Sequence, residues 1–550
     1  MTRYMVTIAV AAILFVPPVI AFPSLSCNPW SFAGALPSEA TIETVTAVPE
    51  GGSFGGGADD VAYPVNPTGL PALCAVIVKV QSSANSSYRF GLFLPTAWNG
   101  KFLTIGNGGF SGGINWLDMG PGPHYGMATV STDMGHNSTA EITAWALDNP
   151  EARTDWGWRA THGSVILGKQ LTQAYYGGTN ITYSFYNGCS TGGRQGLREL
   201  QEFPDSFDGA LIGAPAWWTT HLNSYLTQLG IYNLPVTDPK HISTAHMAVI
   251  ADEVVRQCDG VDGLIDGIVS SPELCAFSFT PLLCNDTTDT QTTNPDSCLN
   301  PAQVQTAKNV YSDVYSPNGT FLYNGLTLSS EDQWFILLGG PQPSPFGLGY
   351  DRDFLYNNQA WNWTDFNLSR TIALAETTHP YGATAAHFDI SAFKQRGAKL
   401  LLYHGLADGL VPTRGSEYYY NETIAAFNVS RAAVADFFRM FLVPGMQHCW
   451  STPVGAPWNI GGSFQAGVMG PGYWSVPGFE GSKRHDALLA LVDWVERGEA
   501  VESIVATAWR SPLNASSGVL RQRPLCAWPA KAVWDGFGDE DEAASWRCAG

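Results

Sequence analysis

Apolar runs of strand length alternate with helix-period patterns in two separated stretches of this chain. Residues 75–80 (AVIVKV), 89–94 (RFGLFL), 101–105 (KFLTI) and 127–130 (MATV) are short, apolar and rich in β-branched or aromatic residues, which predicts strands. Residues 163–176 carry apolar positions at helical spacing. A strand over 183–186 (YSFY) runs into a glycine-rich turn, followed by a helix over 195–202 and a strand over 208–213. The alternation resumes with strands at 399–403 (KLLLY) and 438–443 (FRMFLV) and a helix over 486–497. Strands alternating with helices predict an α/β fold with a mostly parallel sheet. From about 217 to 387 the alternation is lost. That segment holds four cysteines and many Asn, Asp, Thr, Pro and aromatic residues, and it reads as a large inserted lid domain. The predicted organisation is a sheet domain of 22–216 and 388–550 with a lid of 217–387, two lobes in keeping with 550 residues.

The N-terminal pattern changes the compartment. Residues 1–21 have a basic Arg3, a twelve-residue apolar run over 5–16, a Pro17-Pro18 break and a small-residue end at Ala21. This is the pattern of a secretory signal, and the run is too short for a membrane anchor. Ten cysteines suit an oxidising compartment. Ten N-x-[ST] sequons, at Asn85, Asn137, Asn180, Asn285, Asn318, Asn362, Asn367, Asn421, Asn428 and Asn514, suit a secreted glycoprotein. The expectation is an extracellular protein. Without Arg3, 27 basic residues face 48 acidic ones, a formal charge of −21. That acidity argues against nucleic-acid and anionic-membrane partners.

Candidate chemistry starts at residues 188–196, GCSTGGRQG, whose first five residues fit G-x-S-x-G. The pattern alone is more often a plain loop. A strand before it and a helix after it are the context of a nucleophile elbow, which makes Ser190 a candidate nucleophile. Asp408 lies just past the strand at 399–403, in HGLADG, and His448 just past the strand at 438–443, in PGMQHC. Singly, each reads more readily as a turn or loop residue. Together, in the order Ser, Asp, His and at successive strand ends, they form a Ser-His-Asp triad with His448 as base and Asp408 as its orienter. His404 precedes the acid, breaks that order and reads as a supporting residue. The N–H groups of Thr191 and of the Gly108-Gly109 turn are candidate oxyanion donors. Cys189 precedes the nucleophile and Cys449 follows the base. A Ser190–His448 contact would bring these cysteines within disulfide reach, so a Cys189–Cys449 bridge is expected.

GCSTGGRQG, HGLADG and PGMQHC together resemble the fungal tannase and feruloyl esterase family, over essentially the whole mature chain. The resemblance implies an α/β-hydrolase catalytic domain with a lid, carboxylic ester hydrolysis on phenolic acids, and the same triad and bridge. Thr191 resembles the feruloyl esterase branch, since fungal tannases tend to carry aspartate there. The expected function is therefore release of ferulic and related hydroxycinnamic acids from plant cell-wall polysaccharide esters or small esters. A galloyl-ester hydrolase is the runner-up, followed by a non-catalytic phenol- or carbohydrate-binding protein and a serine peptidase. A homodimer is the candidate assembly.

The loop 258–268 (CDGVDGLIDGI) is acidic but lacks EF-hand spacing, and from spacing alone it reads as a solvated Asp-Gly turn. The resemblance implies a structural Ca²⁺ there, held by Asp259, Asp262 and Asp266 side chains and by the carbonyls of Leu264 and Ile268. The same family pattern pairs Cys27–Cys74, Cys258–Cys275, Cys284–Cys298 and Cys526–Cys548, a connectivity that sequence alone leaves open.

Overall fold

The computed structural model describes residues 26–284 and 295–550. The segment read as a secretory signal and the Asn285 sequon lie outside the described residues. Nine strands form one sheet: β1 (Ala40–Val48), β2 (Leu73–Ser83), β3 (Ser86–Pro95), β4 (Lys101–Ile105), β5 (Ala128–Thr132), β6 (Tyr183–Cys189), β7 (Gly209–Gly213), β8 (Lys399–Gly405) and β9 (Phe438–Val443). Their spatial order is β1-β2-β3-β5-β4-β6-β7-β8-β9. β1, β2, β3 and β5 pair antiparallel, and every pairing from β5 to β9 is parallel. The sheet is thus mostly parallel and flanked by helices, as the alternation predicts, in the α/β-hydrolase arrangement that the resemblance implies.

Parallel strands covered on both faces need apolar side chains in both directions, which is why 400–403 reads LLLY without a polar break. Leu401 and Tyr403 join Phe185, Leu211 and Phe441 on one face, under Leu488, Leu491 and Trp494 of a late helix. Leu400 and Leu402 join Tyr186, Ile212 and Met440 on the other, under Leu197 and Leu200. Each such buried leucine contributes about 1.5–3 kcal/mol relative to exposure. The helices that matter are α1 (Ala160–Tyr175), α2 (Thr191–Glu202), α3 (Thr219–Tyr232), α4 (Thr244–Cys258), α5 (Thr413–Phe427) and α6 (Ala487–Arg497).

Between β7 and β8 the chain folds α3, α4 and shorter helices around a core of its own, with Leu222, Tyr225, Leu229, Ile250, Val254, Trp334 and Leu337 at its centre. β1 was not legible in the pattern. It is an edge strand with only Val48 buried, so no apolar alternation marks it. A C-terminal antiparallel hairpin, β10 (Ser503–Ser511) with β11 (Asn514–Cys526), also went unread. No helix among the described residues is long and apolar enough to cross a membrane.

Candidate active site

β6 ends at Cys189 and α2 begins at Thr191, so the whole turn is Ser190. Its φ of 63° and ψ of −124° are a strained backbone that aims the side chain away from the sheet. A serine at a helix N-cap ordinarily accepts from the helix's first N–H groups. Here it makes no such bond, which leaves the start of α2 undersatisfied beside the hydroxyl. The turn is tight enough that a Cβ on Gly188 would lie 2.8 Å from the Gly192 backbone, and one on Gly192 2.9 Å from the Asn107 carbonyl oxygen. These contacts override the poor helix propensity of a glycine-rich first turn.

β8 and β9 deliver the other two residues. Asp408 is fully buried; its Oδ1 accepts from the N–H groups of Leu410 at 2.8 Å and Val411 at 2.9 Å. Its Oδ2 lies 2.7 Å from His448 Nδ1 and 3.0 Å from His404 Nε2. Burial would raise this carboxyl, but the two imidazoles and their hydrogen bonds hold it well below the usual carboxylate range. His404 itself is anchored by Ser416 Oγ at 2.7 Å and the Val411 carbonyl at 3.0 Å. It therefore buttresses the acid from behind, in the supporting place its sequence position suggested. His448 uses Nδ1 on Asp408, and Nε2 is left for the cavity it lines together with Ser190.

Cys189 and Cys449 are bonded, with Cα atoms 6.0 Å apart. The other four predicted pairs, Cys27–Cys74, Cys258–Cys275, Cys284–Cys298 and Cys526–Cys548, are also bonded. One residue that no motif announces ties the base loop to the acid loop. Gln333, in the inserted segment, accepts through one Oε1 from the N–H of Gly409 at 3.0 Å and of His448 at 3.1 Å. Both the acid loop and the base loop hang on that oxygen.

The cavity at the serine holds about 250 Å³. Thr191, Gly108 and Gly109 line it, but the three are not equivalent as donors. The Gly108 N–H donates to the Tyr63 hydroxyl at 2.9 Å, which corrects its place in the expected donor set. Thr191 and Gly109 (φ 51°) remain. The walls are Phe110, Trp156, Leu222, Leu226, Leu337, Phe346, Trp450 and Phe464. Among the aromatics of the inserted segment, Phe346 lines it, while Trp217, Tyr225 and Tyr350 are buried in cores. Arg194, one turn into α2, also lines the cavity and is buried without a carboxylate partner. It donates to the Gly157, Ala383 and Trp156 carbonyls and stacks 4.2 Å over the Trp156 ring. Burial pulls its guanidinium down to about 9.

The acidic loop uses its carboxylates locally. Asp259 accepts from the N–H groups of Asp266, Gly267 and Ile268 at 2.9–3.2 Å, and Asp262 from Leu264 at 3.1 Å. Asp266 accepts from Ile268 and pairs with Arg523 of β11. No group of three or more His, Cys, Asp or Glu side chains is placed to hold a metal among the described residues. As arranged, the three carboxylates do not converge.

A mostly parallel sheet with a serine elbow after β6, and an acid and a histidine after β8 and β9, defines an α/β-hydrolase. Residues 74–336 and 350–549 match the family described as tannase and feruloyl esterase. Feruloyl esterase B of Aspergillus niger is 33% identical over 477 residues, 86% of each chain. Probable feruloyl esterase B-1 of Aspergillus flavus is 32% identical over 500 residues, 90% of each. The crystal structure of feruloyl esterase B from Aspergillus oryzae matches with a TM-score of 0.85 at 32% identity, covering 94% of this chain and 99% of that one. The chain belongs to the tannase and feruloyl esterase family and is a carboxylic ester hydrolase.

Proposed function

We propose that this protein is a secreted feruloyl esterase that hydrolyses hydroxycinnamoyl esters, including those on plant cell-wall polysaccharides, through a Ser190–His448–Asp408 acyl-enzyme mechanism. The observation that carries the reading is the meeting of Ser190 and a His448–Asp408 pair at one apolar cavity sized for an aromatic acid. The names of the relatives support the acyl class, and the five disulfides support an oxidising, extracellular setting.

His448 Nε2 takes the hydroxyl proton as Ser190 Oγ attacks the ester carbonyl, forming the C–O bond of a tetrahedral intermediate. The N–H groups of Thr191 and Gly109 receive the oxyanion, helped by the positive end of α2. His448 returns its proton to the departing alcohol as the ester C–O bond breaks. Water, activated in the same way, then releases the acid. Asp408 stays ionised throughout, fixes the imidazole tautomer and stabilises the imidazolium.

Rates on methyl ferulate, methyl caffeate, methyl p-coumarate and methyl gallate test the acyl class. Turnover of the three hydroxycinnamates well above that of the gallate is expected; a gallate preference would make the protein a tannase instead. A structural Ca²⁺ in the 258–268 loop belongs to the same reading. The donors are hard oxygens, and burial, with a smaller push from the Asp266 charge, raises the Asp262 carboxyl, a cost that a bound divalent cation would offset. Arg523 now balances Asp266 and would have to yield it. Treatment with EDTA should lower the melting temperature by several degrees and added Ca²⁺ restore it; an unchanged transition removes calcium from the proposal.

A further inference from the structure

The helix α3 turns one stripe toward the cavity: Thr219, Leu222, Asn223 and Leu226, at positions i, i+3, i+4 and i+7. Two of the four are polar, and neither is satisfied. Asn223 is only 8% exposed, and its carboxamide, hydrogen-bonded to no described residue, keeps access to the cavity it lines. Thr219 Oγ1, one turn earlier, is buried and also unpartnered. The contrast with Asn233 on the same segment is direct. That amide is fully buried and donates to the Ile242 and Leu338 carbonyls while accepting from the Ile242 N–H. A largely buried amide with no protein partner that opens onto a ligand cavity points to a group of the ligand.

The surroundings narrow what that ligand group is. The cavity that Asn223 lines is walled by Phe110, Trp156, Leu226, Leu337 and Phe346. A ring-lined, mostly apolar space with a few polar groups, the Asn223 carboxamide among them, suits a flat aromatic ring carrying a polar substituent. A sugar, with hydroxyls on every side, would leave most of them unpaired there. The position also fits, because α3 follows directly from the segment that pairs with the elbow: the Ala216 N–H donates to the Ser190 carbonyl at 3.1 Å. Asn223 stands one helical turn, roughly 6 Å, beyond Thr219 along the axis.

We propose that Asn223 is a specificity-determining residue that binds the phenolic hydroxyl of the acyl ring, with Thr219 lending polarity beside it. This rests on the hydroxycinnamoyl-esterase reading above. Asn223 Oδ1 accepts the phenol O–H, or its Nδ2 donates to the phenol oxygen. A cinnamate without the hydroxyl leaves the amide unpaired in the bound state and is discriminated against for that reason.

The test compares kcat/KM on methyl p-coumarate and methyl cinnamate, which differ only in the ring hydroxyl and carry no sugar. The wild type should favour the p-coumarate by roughly 10- to 100-fold. Asn223→Leu, close to isosteric, should bring the ratio to about unity by losing far more rate on p-coumarate than on methyl cinnamate. If that variant fails to fold, Asn223→Ser keeps the site polar but too short to reach, and it should shift the ratio the same way. A ratio unchanged in the folded variant, or equal losses on both esters, overturns the assignment while leaving the esterase reading intact. A wild type inert on both esters but active on methyl gallate overturns the hydroxycinnamoyl reading, and the inference with it.

Discussion

Replacing Ser190 with alanine should cut kcat on methyl ferulate by about 10⁵- to 10⁶-fold while the melting temperature stays within a degree or two. The size follows from the chemistry. Without Oγ there is no acyl-enzyme, and only cavity binding and the N–H groups of Thr191 and Gly109 remain to favour attack by water. Stability should hardly move, because the Ser190 hydroxyl caps no helix and its backbone bonds, to the Gly213 carbonyl and from the Ala216 and Arg194 N–H groups, survive the substitution. His448→Ala should be nearly as damaging, and the double variant no worse than either single one, since the two act as one unit. Asp408→Asn should cost about 10⁴-fold, because an amide favours the wrong imidazole tautomer. The two histidines keep the Asp408 carboxyl far below the mild-acid range, so it remains charged there and loss of its charge cannot set an acid limb of activity near neutrality. Residual hydrolysis of more than about a hundredth of wild type in purified Ser190→Ala would place the nucleophile elsewhere.

Much of this site was readable because its residues sit where a strong pattern ends. β8 and β9 are buried on both faces, their apolar runs stop at Gly405 and Val443, and the acid and the base follow within five residues. Cys189 and Cys449 carried similar weight, since two adjacencies to triad residues have one simple geometric cause. Gln333 and Asn223 were invisible for the opposite reason. Each is one polar residue among several in a segment with no strand–helix rhythm, and its placement follows from how that insertion packs on the sheet. The same holds for Arg523. Nothing near the loop of residues 258–268 announces that a guanidinium from the C-terminal hairpin reaches Asp266, 257 residues earlier in the chain. Gly108 and Gly109 look alike in sequence, and only the Tyr63 hydroxyl, 45 residues upstream of Gly108, separates them.

Removing the bridge, as Cys189→Ala/Cys449→Ala, should lower kcat by about 100-fold and the melting temperature by only roughly 5 °C. The two figures have different origins. The bonded residues are 260 apart, so the link restricts the unfolded chain by about 5.5 kcal/mol in the entropy model. In a chain of 550 residues, with a large unfolding entropy, that amounts to a few degrees. The catalytic loss comes from position. Cys449 holds a left-handed backbone, φ 65°, immediately after His448, and non-glycine residues stay in that region only when their surroundings hold them. The restraints that remain include the Asp408 carboxylate on His448 Nδ1, the Gln333 oxygen on the His448 N–H and the Gln465 amide on the Cys449 carbonyl at 2.9 Å. They tether one loop but do not tie it to the nucleophile. An imidazole free to drift by an ångström from Ser190 loses about two orders of magnitude. KM should change little, because Phe110, Trp156, Phe346 and α3 keep the cavity walls. A double variant that melts lower but keeps wild-type kcat would show that the bridge only stabilises the fold, and that Asp408, Gln333 and Gln465 suffice to place the base.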